Sequence, residues 1–357
     1  MENKKRIEWI DTLRFMGIFS IYLSHLGEQA GYFYPFAYRF QVPLFFFIAG
    51  AMENLSSTEE SFVRHFAKRF KGIMLPYFFF GLVSIAMIFL KGNANAGIVL
   101  KTAVENLLGI RNQLFAPALW FLPCIFVMGM LFFWLKKLAE NRWLILIIGI
   151  VFFVITITVL PHRPISQPSW FWNIDSVLFY FFYYALGYAV FPYIRRLLSS
   201  RSVWAHVGFI VSALAVTFYA MALLAGKDLV ALFFRNIPNS VYIIRMLSAV
   251  LLIWFNVSLA QVLSSITLFQ KIGQDTLFLC GSEQVIRHLT PPLAAIFGLN
   301  VTFNSTLGAF IYTFVAIVVA KYAVSPVLKT LYKALSERLY PAWLSAKNTE
   351  VSENKSQ

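Results

Sequence analysis

Apolar residues in this chain come in long runs rather than in alternating faces. Runs of roughly 17 to 25 mostly apolar residues recur from end to end, and short polar connections between them hold most of the Lys and Arg. As a helix rising about 1.5 Å per residue, each run is long enough to cross about 30 Å of hydrocarbon. Ten such spans are expected, near residues 10–29, 36–55, 73–90, 118–135, 143–160, 174–193, 203–225, 243–263, 275–296 and 305–324. An amphipathic stretch, SPVLKTLYKALSERLY, follows the last of them. Beyond Pro341 the chain turns polar and ends KNTEVSENKSQ, which reads as a disordered tail. The pattern predicts an all-α fold, a polytopic membrane helical bundle over residues 1–340 with a polar cytoplasmic tail over 341–357. No connection is long enough for a second globular domain, and no repeat suggests the inverted halves of many transporters.

Composition agrees with this class. Hydrophobic residues make up 59% of the chain and charged ones 13%, with 38 Phe, more apolar surface than a soluble domain of 357 residues can bury. The net charge of +14 raises the possibility of a nucleic-acid partner, but the cations are not gathered on one soluble face. They concentrate in alternate connections: Lys4, Lys5 and Arg6; Arg64, Lys68, Arg69 and Lys71; Lys136, Lys137 and Arg142; Arg195, Arg196 and Arg201; Lys271; and the stretch from Lys329 onward. The opposite connections hold the scattered Lys91, Lys101, Arg111, Arg163, Lys227 and Arg235. By the positive-inside rule both termini are cytoplasmic, as an even number of spans requires. Lys4 to Arg6 before an apolar run resemble a secretory signal, but Asp11 and Arg14 interrupt the run and no convincing small-residue cleavage site follows. Cys124 and Cys280 fall inside expected spans without metal-ligand spacing and read as core residues, so no metal site is expected.

The first span, IDTLRFMGIFSIYLSHLGE, carries Asp11, Arg14 and His25. At about 100° per residue Arg14 and His25 differ by only about 20° around a helix, and Asp11 lies about 60° to one side. The three share one stripe with Ile18 and Ile21 between them, and Arg14 and His25 stand roughly 16 Å apart along the axis. Polar groups aligned toward lipid are costly, so the stripe should face the bundle interior or a water-filled cavity. The plainer reading is a structural Asp11–Arg14 pair and a histidine satisfied by a neighbouring helix.

These residues resemble a known family. WIDTLRFMGIFSIYLSH is similar to the first helix of the membrane acyltransferase 3 family, whose signature is Arg or Lys, ten residues, then His; here Arg14 and His25, preceded by Asp11. QVPLFFFIAG, Gln41 to Gly50, resembles the family's mPlFFfiSG, with Ala49 in place of Ser. RHFAKRFKGIMLPYF resembles its basic connection ending at a Pro, here Pro76. ALWFLPCIF and NIDSVLFYFFYYALGY, with Asp175 and Gly187, continue the likeness over nearly the whole chain. Three departures stand out. Lys68 and Lys71 replace the Arg-x2-Arg of many relatives, Glu283 stands near a position where a His often occurs, and the soluble hydrolase-like extension of some members is missing.

The resemblance implies an acyl-CoA-dependent O-acyltransferase in a bacterial cell membrane. It would move an acyl group, by expectation acetyl, from cytoplasmic acyl-CoA (acetyl-CoA as co-substrate, no permanently bound cofactor) to a hydroxyl of a saccharide or cell-envelope glycan. The catalytic set it implies is His25, Arg14 and Asp11, with His25 as general base and Arg14 orienting the donor. Donor phosphates would meet Arg14, Lys68, Arg69 and Lys71. Direct transfer and a transient acyl-enzyme relay both remain open. On the acceptor side, Glu283 either pairs with Arg287 along its helix or binds acceptor hydroxyls and tunes His25. Asp175 is a helix cap or a site residue. Trp120 and the aromatics of SWFWN, Ser169 to Asn173, form an interfacial belt or stack on a sugar. His65, His162, His206 and His288 read as structural. The rival classes are a transporter or exporter of an anionic or glycan solute, for which a central Arg–His stripe would also serve, and a membrane sensor or scaffold.

Overall fold

The structure, a computed structural model, describes residues 6–55, 61–92, 95–160, 170–199, 203–224, 239–298, 302 and 305–339. Among them there is no strand, and the fold is a helical membrane bundle. The helices are α1 (Glu8–Ser24), α2 (Tyr34–Met52), α3 (Phe62–Arg69), α4 (Leu75–Leu90), α5 (Ala96–Leu108), α6 (Phe121–Leu138) and α7 (Arg142–Thr158). They continue with α8 (Ile174–Ser199), α9 (Val203–Leu224), α10 (Ser240–Val262), α11 (Thr267–Gly273), α12 (Thr276–Ile296), α13 (Thr306–Val319) and α14 (Ser325–Leu339).

Every expected span coincides with a helix. By length and composition, five helical stretches among the described residues suit a membrane crossing: Phe62–Leu90, Pro117–Leu138, Phe171–Leu198, Ser240–Ser265 and Thr306–Glu337. Helix α1, 17 residues long and carrying Glu8, Asp11 and Arg14, is not one of them. It packs against α2, α10, α11, α12 and α13 and is buried nearly all round, so its Asp11, Ser20 and Ser24 answer to protein neighbours rather than to lipid. The expected tail, 341–357, lies outside the described residues.

Two helices depart from a regular ladder, each just before a proline. The turn Phe70–Met74 between α3 and α4 is π-helical and precedes Pro76; the turn Ala320–Val324 between α13 and α14 is π-helical and precedes Pro326. A proline ring presses on the carbonyl four residues earlier, here at Gly72 and Tyr322, and the widened turn relieves that clash without ending the helix. Helix α5 occupies a stretch that reads as a connection by hydropathy alone. Its signals are local: the Asn95 side chain accepts from the Ile98 N–H at the start, and Gly109 closes the end with φ 64°.

Small residues let the central helices touch. A Cβ at Gly50 of α2 would overlap the Tyr184 carbonyl of α8, and one at Gly187 of α8 would overlap the Phe47 carbonyl of α2. This reciprocal contact joins the two helices backbone to backbone, in the way small residues pack membrane helices. Gly50→Ala or Gly187→Ala should lower stability by about 1–3 kcal/mol or more, since backbone cannot yield as a side chain does. Gly72→Ala, facing open space, should leave it nearly unchanged. Thermal denaturation of the detergent-purified variants checks the contrast.

Candidate active site

Asp11 is 2% exposed and accepts hydrogen bonds from Arg6 Nε at 2.7 Å, Arg14 Nη1 at 3.2 Å and Gln274 Nε2 at 3.3 Å. With three donors on one carboxylate, Asp11 fixes the Arg14 guanidinium and has little capacity left for another task. At the other end of the stripe His25 is the C-terminal cap of α1. Its Nδ1 lies 2.9 Å from Glu283 Oε1 on α12, a carboxylate 3% exposed. An ionised Glu283 only accepts, so the proton of that bond sits on His25 Nδ1, and in the neutral imidazole Nε2 is then the nitrogen with the lone pair. Glu283 thus bonds across the bundle to His25 rather than along its helix to Arg287, and its Oε2 is buried without a partner among the described residues.

A cavity of about 380 Å³ runs beside α1. Arg14, Ile18, Ile21 and His25 of the stripe expected from helical periodicity line it, whereas Asp11, the fifth member, stands behind the wall and reaches it only through Arg14. The opposite walls come from Gln41 and Phe45 of α2, Gly72 and Ile73 of the π turn, Arg111 and Asn112 of the α5–α6 connection, Trp120 and Phe121, and Thr276, Leu277 and Cys280 of α12. Gln41 Oε1 accepts from the Ser24 hydroxyl at 2.8 Å, tying α2 to the turn that presents His25.

The other expected site residues are distributed less uniformly. Arg69 turns away from the cavity and pairs with Glu53, whose Oε1 also accepts from the Tyr184 hydroxyl at 2.6 Å; Gly129 leaves room for the guanidinium. Lys68 and Lys71 are exposed on the surface of the turn whose Gly72 and Ile73 reach the cavity. Trp120 lines the cavity, 5% exposed, with Arg111 stacked 4.5 Å from its ring centroid, so that face is not open to a sugar. Asp175 is 1% exposed, near the start of α8, and accepts from the Ser176 N–H, away from the cavity wall.

Cys124 is buried in the core, whereas Cys280 lies on the cavity wall. His288 Nδ1 lies 2.8 Å from Lys91 Nζ outside the cavity, and His65 packs on Phe133. His162, Ser169 and the His206 side chain lie outside the described residues. No group of three or more His, Cys, Asp or Glu among the described residues suits a metal ion.

Sequence reasoning did not single out Glu53, Arg111 and Asn112. Arg111 and Asn112 follow Gly109 in a connection whose turn chemistry, positive φ at Gly109 and Asn112, carries the only local signal. Glu53 had none, because its partner lies 16 residues away across an unpredicted helix contact.

One cavity inside the bundle is thus lined by an imidazole backed by a buried carboxylate and, toward one end, by a carboxylate-held arginine, groups whose chemistry suits accepting a proton and meeting an anion. A family model described as an acyltransferase domain matches residues 7–323, and the chain belongs to that family, acyltransferase 3. No curated protein and no solved structure matches the chain.

Glu53→Gln leaves the largely buried Arg69 without its carboxylate. It should cost about 3 kcal/mol, the lower end for breaking a buried pair, because Arg69 keeps 18% side-chain exposure. Lys68→Gln and Lys71→Gln should cost less than about 1 kcal/mol. Melting temperatures of the three variants test this split.

Proposed function

We propose that this membrane acyltransferase moves an acyl group, acetyl as the simplest case, from acyl-CoA to a hydroxyl of a saccharide or cell-envelope glycan at a bacterial cell membrane. One observation carries the reading: His25, hydrogen-bonded to Glu283 behind it, lines the cavity that Arg14 enters from the cation-rich end.

The reaction follows from these groups. The acceptor hydroxyl gives its proton to His25 Nε2 as its oxygen attacks the thioester carbonyl. The tetrahedral intermediate collapses with cleavage of the C–S bond, and the departing CoA thiolate takes the proton back from the imidazolium. Glu283 holds the tautomer that leaves Nε2 free and stabilises the transient imidazolium. Asp11 positions Arg14, which orients the donor. The adenosine and phosphate end of CoA is too bulky for a 380 Å³ cavity beside an acceptor, so it lies at the mouth, where Lys68 and Lys71 flank Gly72. Arg69, engaged by Glu53, acts on the donor through the turn it anchors.

The test is release of coenzyme A and labelled ester from labelled acetyl-CoA by the purified protein with candidate saccharides. His25→Ala should lower kcat by about 10²–10⁴-fold. Glu283→Gln should lower it by roughly tenfold, since the imidazole loses the carboxylate that orients it and steadies its transient positive charge. Full activity of His25→Ala would remove the general base from this scheme.

A further inference from the structure

Arg111 is not accounted for by the donor. It lies where α6 and α8 begin: its backbone N–H donates to Asn173 Oδ1 at 2.8 Å, and Asn173 Nδ2 donates to the Gly109 and Trp120 carbonyls. Both helices run from there to the cation-rich end, marked by Lys136 and Lys137 on α6 and Arg195 and Arg196 on α8. Arg14 lies toward that end, because α1 begins there beside α11. Arg111 and Arg14 therefore approach one cavity from opposite ends.

The guanidinium of Arg111 is held, by Trp120 and beside the buried Tyr180 hydroxyl, but makes no ion pair among the described residues. Its carbon sits 4.5 Å from the Trp120 ring centroid, a stacking contact that fixes the plane of the fork. Its Nη1 is buried and has no hydrogen-bond partner among the described residues. Among the described residues no Asp or Glu lines the cavity, and Asp175 is buried behind the wall. A buried charged donor without an acceptor is costly, and at a cavity wall a ligand anion is the group that satisfies it. Arginine's planar fork matches the two oxygens of a carboxylate or phosphate.

We infer that Arg111 is the anion-binding residue of an acceptor subsite, and that the acceptor hydroxyl belongs to a molecule carrying a carboxylate or phosphate, such as an acidic sugar. The word acceptor rests on the acyl-CoA reading above; the anion site rests on the cavity alone. In this arrangement the donor enters past Arg14, the acceptor's charge docks on Arg111, and its hydroxyl is presented to His25 between them.

Equilibrium dialysis of the purified full chain with labelled D-glucose, D-glucuronate and D-glucose 6-phosphate tests the site, alongside labelled coenzyme A. At least one charged hexose should bind roughly tenfold or more tightly than glucose, the two arms separating carboxylate from phosphate. Arg111→Gln should abolish that preference and leave coenzyme A binding unchanged; Arg111→Lys, which keeps the charge without the fork, should retain a smaller preference and guards against misfolding. Equal or absent binding of all three hexoses, a preference that survives Arg111→Gln, or loss of coenzyme A binding in that variant overturns the inference. Charged-sugar preference through Arg111 with no coenzyme A binding by the native protein keeps the anion site and removes the donor reading.

Discussion

The Glu283 carboxylate is 3% exposed, near the middle of a helix bundle whose walls are largely Phe, Leu and Ile, and its hydrogen bond to His25 is the contact on which the site depends. A buried carboxylate left unpaired gives up several kcal/mol of hydration, so α1 and α12 must keep the register that brings His25 and Glu283 together. Other contacts hold the same register. The Tyr22 hydroxyl donates to the Leu279 carbonyl one turn before Glu283, and Gly273 lets α11 press against the Asp11 carbonyl of α1. The stripe on α1 is thereby fixed at both ends, by Asp11 with Gln274 below and by His25 with Glu283 above. A site built this way is rigid where it needs to be, since sliding either helix breaks a buried polar contact before it disturbs any apolar one.

Irregular backbone completes the cavity from the other side. The π turn ahead of Pro76 is the element that brings Gly72 and Ile73 to the wall while Lys68 and Lys71 stay at the surface. Arg69, the last residue of α3 before that turn, is clamped by Glu53 at the end of α2 and Tyr184 of α8, the two helices that Gly50 and Gly187 join. The proline, the widened turn and the glycine contact thus form one chain of causes from sequence to cavity shape.

Much of this was legible in the sequence where the information is local or periodic. Helical spacing alone put Arg14, Ile18, Ile21 and His25 on one face, and they line one cavity; run length located the ten spans but not the short helices α3 and α11 or α5, whose Asn95 and Gly109 caps are visible but whose hydropathy is not that of a span. What stayed hidden is which helix meets which. Glu283 sits four residues from Arg287, an ordinary pair along one helix, yet its partner is 258 residues away. Arg69 sits in a basic cluster that suggests phosphate, yet its charge is consumed by Glu53, a residue with no motif around it. Periodicity ranks the faces of a helix; it does not name the facing side chain.

The cavity's charge pattern follows from the same constraint. Asp11 and Glu283 both stand one layer behind the wall, each reaching the cavity only through the cation or imidazole it holds. With the acids withdrawn, the described residues of the cavity wall include Arg14, His25 and Arg111 and no carboxylate. An anionic thioester donor entering such a space is attracted at the mouth, while the acyl carbon, which is neutral, passes on toward the histidine. In the proposed reaction, the negative charge that grows on the thioester oxygen as a hydroxyl attacks would lie in a low-dielectric space with a guanidinium group at either end, where it would be stabilised more than in water. The carboxylates serve that step best from behind: closer to the ligand, either would repel the charge that the reaction creates.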